Sequence, residues 1–362
     1  DGGGGSTTRR VLTASAPMSP AHKRVRPPGT PSSPPPTEKD WNHEYQLLWD
    51  QNLNESDATS FQQRMQLRLQ IGRLAKEFTD VATELGKIII SEVRRPHHLK
   101  SIQPIDVGGV GGGLKYISNN IFFKFVVDEW SIYGGNEYAM KSGKHELRGS
   151  QLFMNMASRR QISNALHMPL MCVIDWLGFR VVAMSILPIT DTTLVYGSAD
   201  GAQTLKFDSD VSKIMAAAAK CLNLHEHWVA TRDGETKYKF HSCGDVEAHR
   251  ALDDRLYLLD THRIMPPCAP QLSPDDYRSA PSSTPLVELA KKHVVDAERS
   301  AHAALPRPKG AFLYRLMRPE FVARYGEPLS ADGFCMWARG GSGEEQLQQI
   351  NATLKTATAE LR

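Results

Sequence analysis

The chain has 362 residues, 41% hydrophobic and 23% charged, which fits one large or two modest globular domains with a sizeable core. Its formal net charge of +3 is too slight to imply a nucleic-acid partner by charge alone, and its five cysteines (Cys172, Cys221, Cys243, Cys268, Cys335) are scattered and never at CxxC spacing, which favours reduced thiols over a disulfide framework or a zinc site. No apolar run reaches the ~20 residues that cross a bilayer, and the N-terminus shows no apolar stretch of the kind a secretory signal carries.

The first residue is Asp1 and not Met, which leaves room for a longer parent chain. Residues 1–40 are rich in Gly, Ser, Thr and Pro, with "KRVRPPGTPSSPPPTEK" at their centre. Such a segment buries too little apolar surface to offset its ordering entropy and reads as a disordered tail. A helical extension over 41–100 follows. Phe61, Met65, Leu74, Phe78, Val81, Leu85 and Ile88 fall on one helical face, with Asp57 as the expected N-cap and Pro96 as the stop. The domain that follows is expected to cover this face.

From residue 101 the pattern is mixed. "GLKYISNNIFFKFVVD" reads as two strands around Ser118-Asn119-Asn120, and "EYAMKSGKHELRGSQLFMNMA" as a helix. "LMCVID" and "FRVVAMSILPI" read as strands joined at Trp176-Leu177-Gly178, and "TTLVYGS" as another strand. "DSDVSKIMAAAAKCLNL" is a helix capped by Asp208 or Ser209, "HWVATR" and "TKYKFH" form a hairpin around Asp233-Gly234, and "RLYLLD" is a strand. Helices are predicted for 285–305, for "RPEFVARYG" and for the polar stretch "EEQLQQINATLKTATAEL". Short strand runs with helices between them define an α+β fold.

Eight stretches, in order across most of residues 40–335, carry a resemblance. They are "DWNHEYQ", "NNIFFKFVVD", "YGGNEYAMKSGKHELRG", "VIDWLGFRVVAMSILPI", "LVYGSADG", "LNLHEHWV", "RLYLLDTHRIMPP" and "LYRLMRPEFV". In these the chain resembles the Clu domain of the clustered-mitochondria proteins. The resemblance implies a Clu domain over 101–338, with a linker and C-terminal helix over 339–362. It implies a cytoplasmic protein of mitochondrial distribution, with mRNA of mitochondrial proteins or ribosome-associated proteins as partners. The family carries a ubiquitin-like region before this domain and tetratricopeptide-like repeats after it, and neither lies within this sequence. It also has a Gly in the turn before the "RxYxLD" strand, where this chain has Asp253-Asp254.

The residues suggest a chemistry of their own. Lys124 sits inside the apolar run "IFFKFVV", where a buried ammonium needs a carboxylate; Glu137 and Glu146 lie on the following helix. A strand Lys, a helix Glu and an upstream glycine run, here "GGVGGG" at 108–113, are the parts with which kinases clamp ATP phosphates. Asp245, His249 and Asp260 then follow in the order of a kinase's catalytic Asp, its metal-assisting residue and its Mg²⁺-binding Asp. H-R-D and D-F-G are missing. Against this stand plainer readings. The glycine run serves as a connector, Lys124 points to solvent by period-two alternation, and the charges pair internally through Arg250, Arg255 or Arg263.

"LHEHW" offers His225 and His227 without an evident third ligand and reads as a helix end. No G-x-S-x-G elbow supports hydrolysis. "KYKFH" (237–241) and "FLYRLMRPEFVARY" (312–325) mix aromatic and basic residues as RNA-binding surfaces do, and equally as a half-buried hairpin and helix do. The expectation is thus a two-lobed, kinase-like α+β Clu domain acting as a non-enzymatic binding module. One alternative is an ATP- and Mg²⁺-dependent phosphotransferase or nucleotide-binding pseudokinase. In that alternative Lys124 and Glu146 serve the nucleotide, Asp245 and His249 are catalytic candidates, and Asp260 holds the metal. The other alternative is a protein-interaction scaffold without RNA.

Overall fold

The computed structural model describes residues 38–53, 60–107, 111–156, 166–270, 310–339 and 343–361. Most of the predicted tail and the helix predicted over 285–305 lie outside them. The fold is α+β, in two halves.

The first half opens with helices α1 (Trp41–Leu53) and α2 (Phe61–Ser91). Ser60 caps α2: its hydroxyl accepts from the Gln63 amide at 3.2 Å, and the Gln63 side chain accepts from the Ser60 amide at 2.9 Å. Asp57, the expected cap, lies outside the described residues. The apolar stripe is buried only in part. Leu74 and Phe78 are buried and Val81 and Leu85 pack beside them, joined by Ala82, Ile89 and Ile90. Phe61, Met65 and Ile88 stay exposed, contrary to the expectation of a fully covered face. For Phe61 and Met65, in the first turns, the reason is length; Ile88 instead falls off the face that Gly86, Ile89 and Ile90 bury. A 31-residue helix runs ~46 Å, while the longest strand beneath it, seven residues, spans ~23 Å.

That sheet is antiparallel throughout and five-stranded: β1 (Pro104–Ile105), β2 (Lys115–Ser118), β3 (Ile121–Phe125), β4 (Met171–Trp176) and β5 (Phe179–Ser185), in the order β1-β2-β3-β5-β4. Both predicted hairpins are present. Asn119 and Asn120 turn with φ of 52° and 56°, and Leu177 and Gly178 with 48° and 78°. Two successive positive φ values match the strand twist in a two-residue loop. Alternation sends Ile121, Phe123 and Phe125 into the core under α2. Helix α3 (Asn136–Asn155) covers the opposite face, where Ala139 meets Val126 and Val182.

β5 runs through residues 186–193 into the second half. There β6 (Leu194–Gly197), β9 (Glu247–Arg250) and β10 (Leu256–Leu259) form a sheet in the order β10-β9-β6. Helix α4 (Ser209–Leu222) starts at Asp208, whose carboxylate accepts from the amides of Asp210 and Val211. β7 (His227–Ala230) and β8 (Lys237–Phe240) make the predicted hairpin. A short helix α5 (Pro319–Val322) and the closing α6 (Glu344–Leu361) complete it. Polar as α6 is, it buries Leu347, Ile350, Leu354 and Ala357 in the core of this half.

Two local readings are corrected. β9, "EAHR", was not expected as a strand, since a four-residue polar run carries little apolar alternation. "LHEHW" is not a helix end: α4 stops at Leu222, Asn223 takes the left-handed conformation, and His227 opens β7. In the turn before β10, Asp254 adopts a φ of 64°, the conformation a Gly would take freely and Asp tolerates better than most residues. Among the described residues no helix is long and apolar enough to cross a membrane.

Candidate functional site

Lys124 projects from β3 toward α3. The covered outer face of the sheet removes the solvent-facing alternative: α2 takes one face and α3 the other. Lys115, its cross-strand neighbour, lies on the same side and donates to the Gly112 carbonyl at 3.0 Å. Gly111 lies against Lys124, and Gly112 against Lys115. A Cβ at Gly111 would stand 3.5 Å from Lys124 Nζ and 3.4 Å from Tyr133 Oη.

Asp260 ends β10 in the left-handed region, with φ of 50°, and a 3₁₀ turn over Thr261–Arg263 follows. This turn is fastened to α3. The Thr261 amide donates to Glu146 Oε1 at 3.2 Å, and its hydroxyl donates to the Glu146 carbonyl at 3.1 Å. Gly149, one turn on along α3, packs against the Thr261 carbonyl so closely that a Cβ has no room. His262 projects between carboxylates: Nδ1 is 3.7 Å from Glu146 Oε2 and Nε2 is 3.7 Å from Asp245 Oδ2. Ligand atoms of Glu146, Asp260 and His262 all lie within 4.8 Å of one another.

The electrostatics show how tightly these groups are coupled. Burial works against the Lys124 ammonium, yet the Asp260 carboxylate, followed by Tyr133, Glu146 and Glu247, raises its pKa above the ordinary value. Burial and Glu146 raise Asp260, opposed by His262 and Lys124. Burial, with the charge and hydrogen bond of Asp260, raises Glu247. His262 is raised despite burial, by Glu146, Asp245 and Asp260.

Asp245 has a different environment. The buried Arg263 guanidinium donates to both of its oxygens, at 2.8 and 2.9 Å, and to Asp332 at 2.7 Å. Against burial, Arg263 and then His262 hold Asp245 down to about 2. Asp332 also accepts from the Gly244 amide and faces His227 Nε2, both at 2.9 Å.

Of the residues singled out in the sequence, Glu146 and Asp260 lie together, with Lys124 within electrostatic reach of both. Asp245 joins through His262, and His249 through Glu247, whose Oε2 is 3.3 Å from His249 Nε2. His249 itself is buried in β9, with Nδ1 3.0 Å from the Thr193 hydroxyl, and burial lowers its pKa to about 4. Glu137 is exposed on the first turn of α3. Sequence reasoning missed Lys115, Tyr133, Glu247, His262 and Asp332. His262 was recoverable two residues after Asp260, and Glu247 from period two with His249 once β9 is recognised. Nothing local marks Asp332.

Comparison with known proteins places this geometry in context. The family described as Clustered mitochondria matches residues 40–269. A Clustered mitochondria protein homolog of Schizosaccharomyces pombe is 26% identical over 239 residues, covering 63% of this chain and 19% of the relative. The Clustered mitochondria protein of Arabidopsis thaliana is 25% identical over 284 residues, 66% of this chain and 19% of the relative. A homolog from Caenorhabditis briggsae is 32% identical over 162 residues, 42% of this chain and 12% of the relative. The chain thus spans at most 19% of the length of these relatives. No solved structure matches it.

Proposed function

Because the chain belongs to the clustered mitochondria (CLU) family, we propose that it is a cytoplasmic, non-enzymatic module of a protein of mitochondrial organisation, and that its two halves form a kinase-like, nucleotide-binding cleft. The names of the relatives support the link to mitochondrial organisation. One observation supports the cleft: Glu146 and Asp260, from a helix and the end of a hairpin, lie within 4.8 Å of each other, and Lys124, on a strand beside Gly111, is within electrostatic reach of both. The order of parts is the one kinases use: a Lys strand, a Glu helix, a strand pair, a crossover, and a hairpin ending in Asp. In this reading Lys124 takes nucleotide phosphates and Asp260 faces the Mg²⁺ that accompanies them. Such a cation would offset phosphate charge. The chain's own residues supply the cradle and its orientation.

The same geometry favours binding without turnover. A general base works best with a pKa near the operating pH. Asp245, the candidate base, is forked onto Arg263 and held down to about 2. Thermal unfolding with ATP and Mg²⁺ tests the reading. A binder gains about 2.7 kcal/mol at a hundred times Kd by mass action. The expected result is a saturable rise in Tm, lost in Lys124→Ala, with no ATP hydrolysis. No rise at millimolar nucleotide overturns nucleotide binding, and sustained hydrolysis overturns the non-enzymatic assignment.

RNA contact has an observation of its own. Lys237 and Lys239 stand over the Trp228 ring, at 5.8 and 5.6 Å, on the β7–β8 hairpin. A cationic, aromatic face suits single-stranded RNA, whose binding weakens steeply with salt. The other aromatic-basic stretch is turned inward, with Met317 and Tyr314 buried and Phe312 and Phe321 against the core. Replacing both lysines with Glu is expected to abolish salt-sensitive RNA binding; unchanged binding contradicts an RNA role for this hairpin.

A further inference from the structure

We infer that Glu146, Asp260 and His262 form a divalent-cation site that prefers a first-row transition ion such as Mn²⁺ to Mg²⁺ and that fills without nucleotide. This deepens the cleft reading above by naming the cation and its ligands, and rests on that reading only for location.

Two observations carry it. The ligand atoms come from two elements already fastened together, α3 and the turn after β10, and lie within 4.8 Å of one another. Ligands about 2.0–2.2 Å from one ion stand ~2.8–4.4 Å apart, so an ion would draw the three groups closer together. His262 stands between two carboxylates, with Nδ1 3.7 Å from Glu146 and Nε2 3.7 Å from Asp245, which Arg263 in turn holds. With Nδ1 on the ion, closure of Nε2 onto Asp245 would fix the ring and raise its basicity as a ligand. An imidazole among the ligands disfavours Mg²⁺, which takes oxygen, and suits transition ions.

The test titrates the full chain with Mn²⁺, and separately with Mg²⁺, in nucleotide-free buffer. Free Mn²⁺ is read by its electron paramagnetic resonance signal and stability by Tm. The expected result is one saturable Mn²⁺ site, at least about tenfold tighter than Mg²⁺. It is lost in Asp260→Asn and about tenfold weaker in His262→Gln, whose Mg²⁺ affinity is unchanged. Asp210→Asn, on the exposed end of α4, binds as the wild type does. Absence of saturable Mn²⁺ binding, equal affinity for Mg²⁺, or a well-folded His262→Gln that keeps wild-type Mn²⁺ affinity overturns the site. Should a variant fail to fold, the Mn²⁺–Mg²⁺ comparison on the wild type still decides. ATP is absent throughout, so a missing nucleotide shift defeats only the nucleotide reading, and missing Mn²⁺ binding only this site.

Discussion

Arg263 is almost completely buried, and its charge is tolerable because two carboxylates meet it. Removing one partner of such a pair leaves a buried charge uncompensated and costs about 3–5 kcal/mol. Asp332→Ala leaves Arg263 its fork onto Asp245, so it is expected to cost less, about 1–3 kcal/mol in urea unfolding, as His227 and the Gly244 amide lose their acceptor. Asp210→Asn, at an exposed pair with Lys213, should stay within about 0.5 kcal/mol. The same contrast separates what the sequence reveals from what it hides at this scale. A Lys in an apolar strand and an Asp at a strand end stand out, because burying either group alone is costly. His262 and Glu247 look like ordinary polar residues until the turn and β9 place them. Asp332 reaches Arg263 and His227 from about 70 and 105 residues away in the chain, beyond any local pattern.

Two contacts fasten elements together. One is the close approach of α3 to the Thr261 turn at Gly149. Gly149→Ala suits a helix by propensity, but its methyl must push the turn away, at a cost of about 1–3 kcal/mol. A lower Tm and weaker cation binding together are the expected outcome, since Asp260 and His262 move with the turn. A Tm equal to or above wild type contradicts the packing. The other contact ties α1 to the second half. Asp50 pairs with Arg255 at 2.6 Å and with His167 at 2.9 Å. Despite burial, Arg255 and then His167 lower its pKa. A folded-state value below the unfolded one means that the stabilisation is complete above the ordinary carboxylate pKa of ~3.9 and is lost as pH falls through the folded value. Unfolding free energies measured from pH 6 to pH 2.5 should fall less steeply in Asp50→Asn than in wild type. Hairpins were legible because Asn-Asn and Leu-Gly turns lie between apolar runs. The exposed first turns of α2 were not, because periodicity records a helix face and not the length of the sheet beneath it.

At the scale of the molecule, α6 belongs to the core it closes. Leu347, Ile350 and Leu354 are each more than nine-tenths buried, and such side chains contribute about 1.5–3 kcal/mol apiece. Their loss rivals the ~5–15 kcal/mol net stability of a domain. A chain ending at residue 342 should therefore lose its cooperative thermal transition; a sharp transition near the wild-type Tm contradicts that role. The α+β class and the run of strands were readable from local pattern. The convergence of β3, α3 and the end of β10 was not, because it depends on how the two halves dock. That convergence is the centre of the account, and a crystal structure grown with Mn²⁺ and a non-hydrolysable ATP analogue tests it most directly. Anomalous scattering between Glu146, Asp260 and His262, with phosphate density against Lys124, is the predicted result. Mn²⁺ bound elsewhere, or Lys124 turned out to solvent away from Asp260, contradicts it.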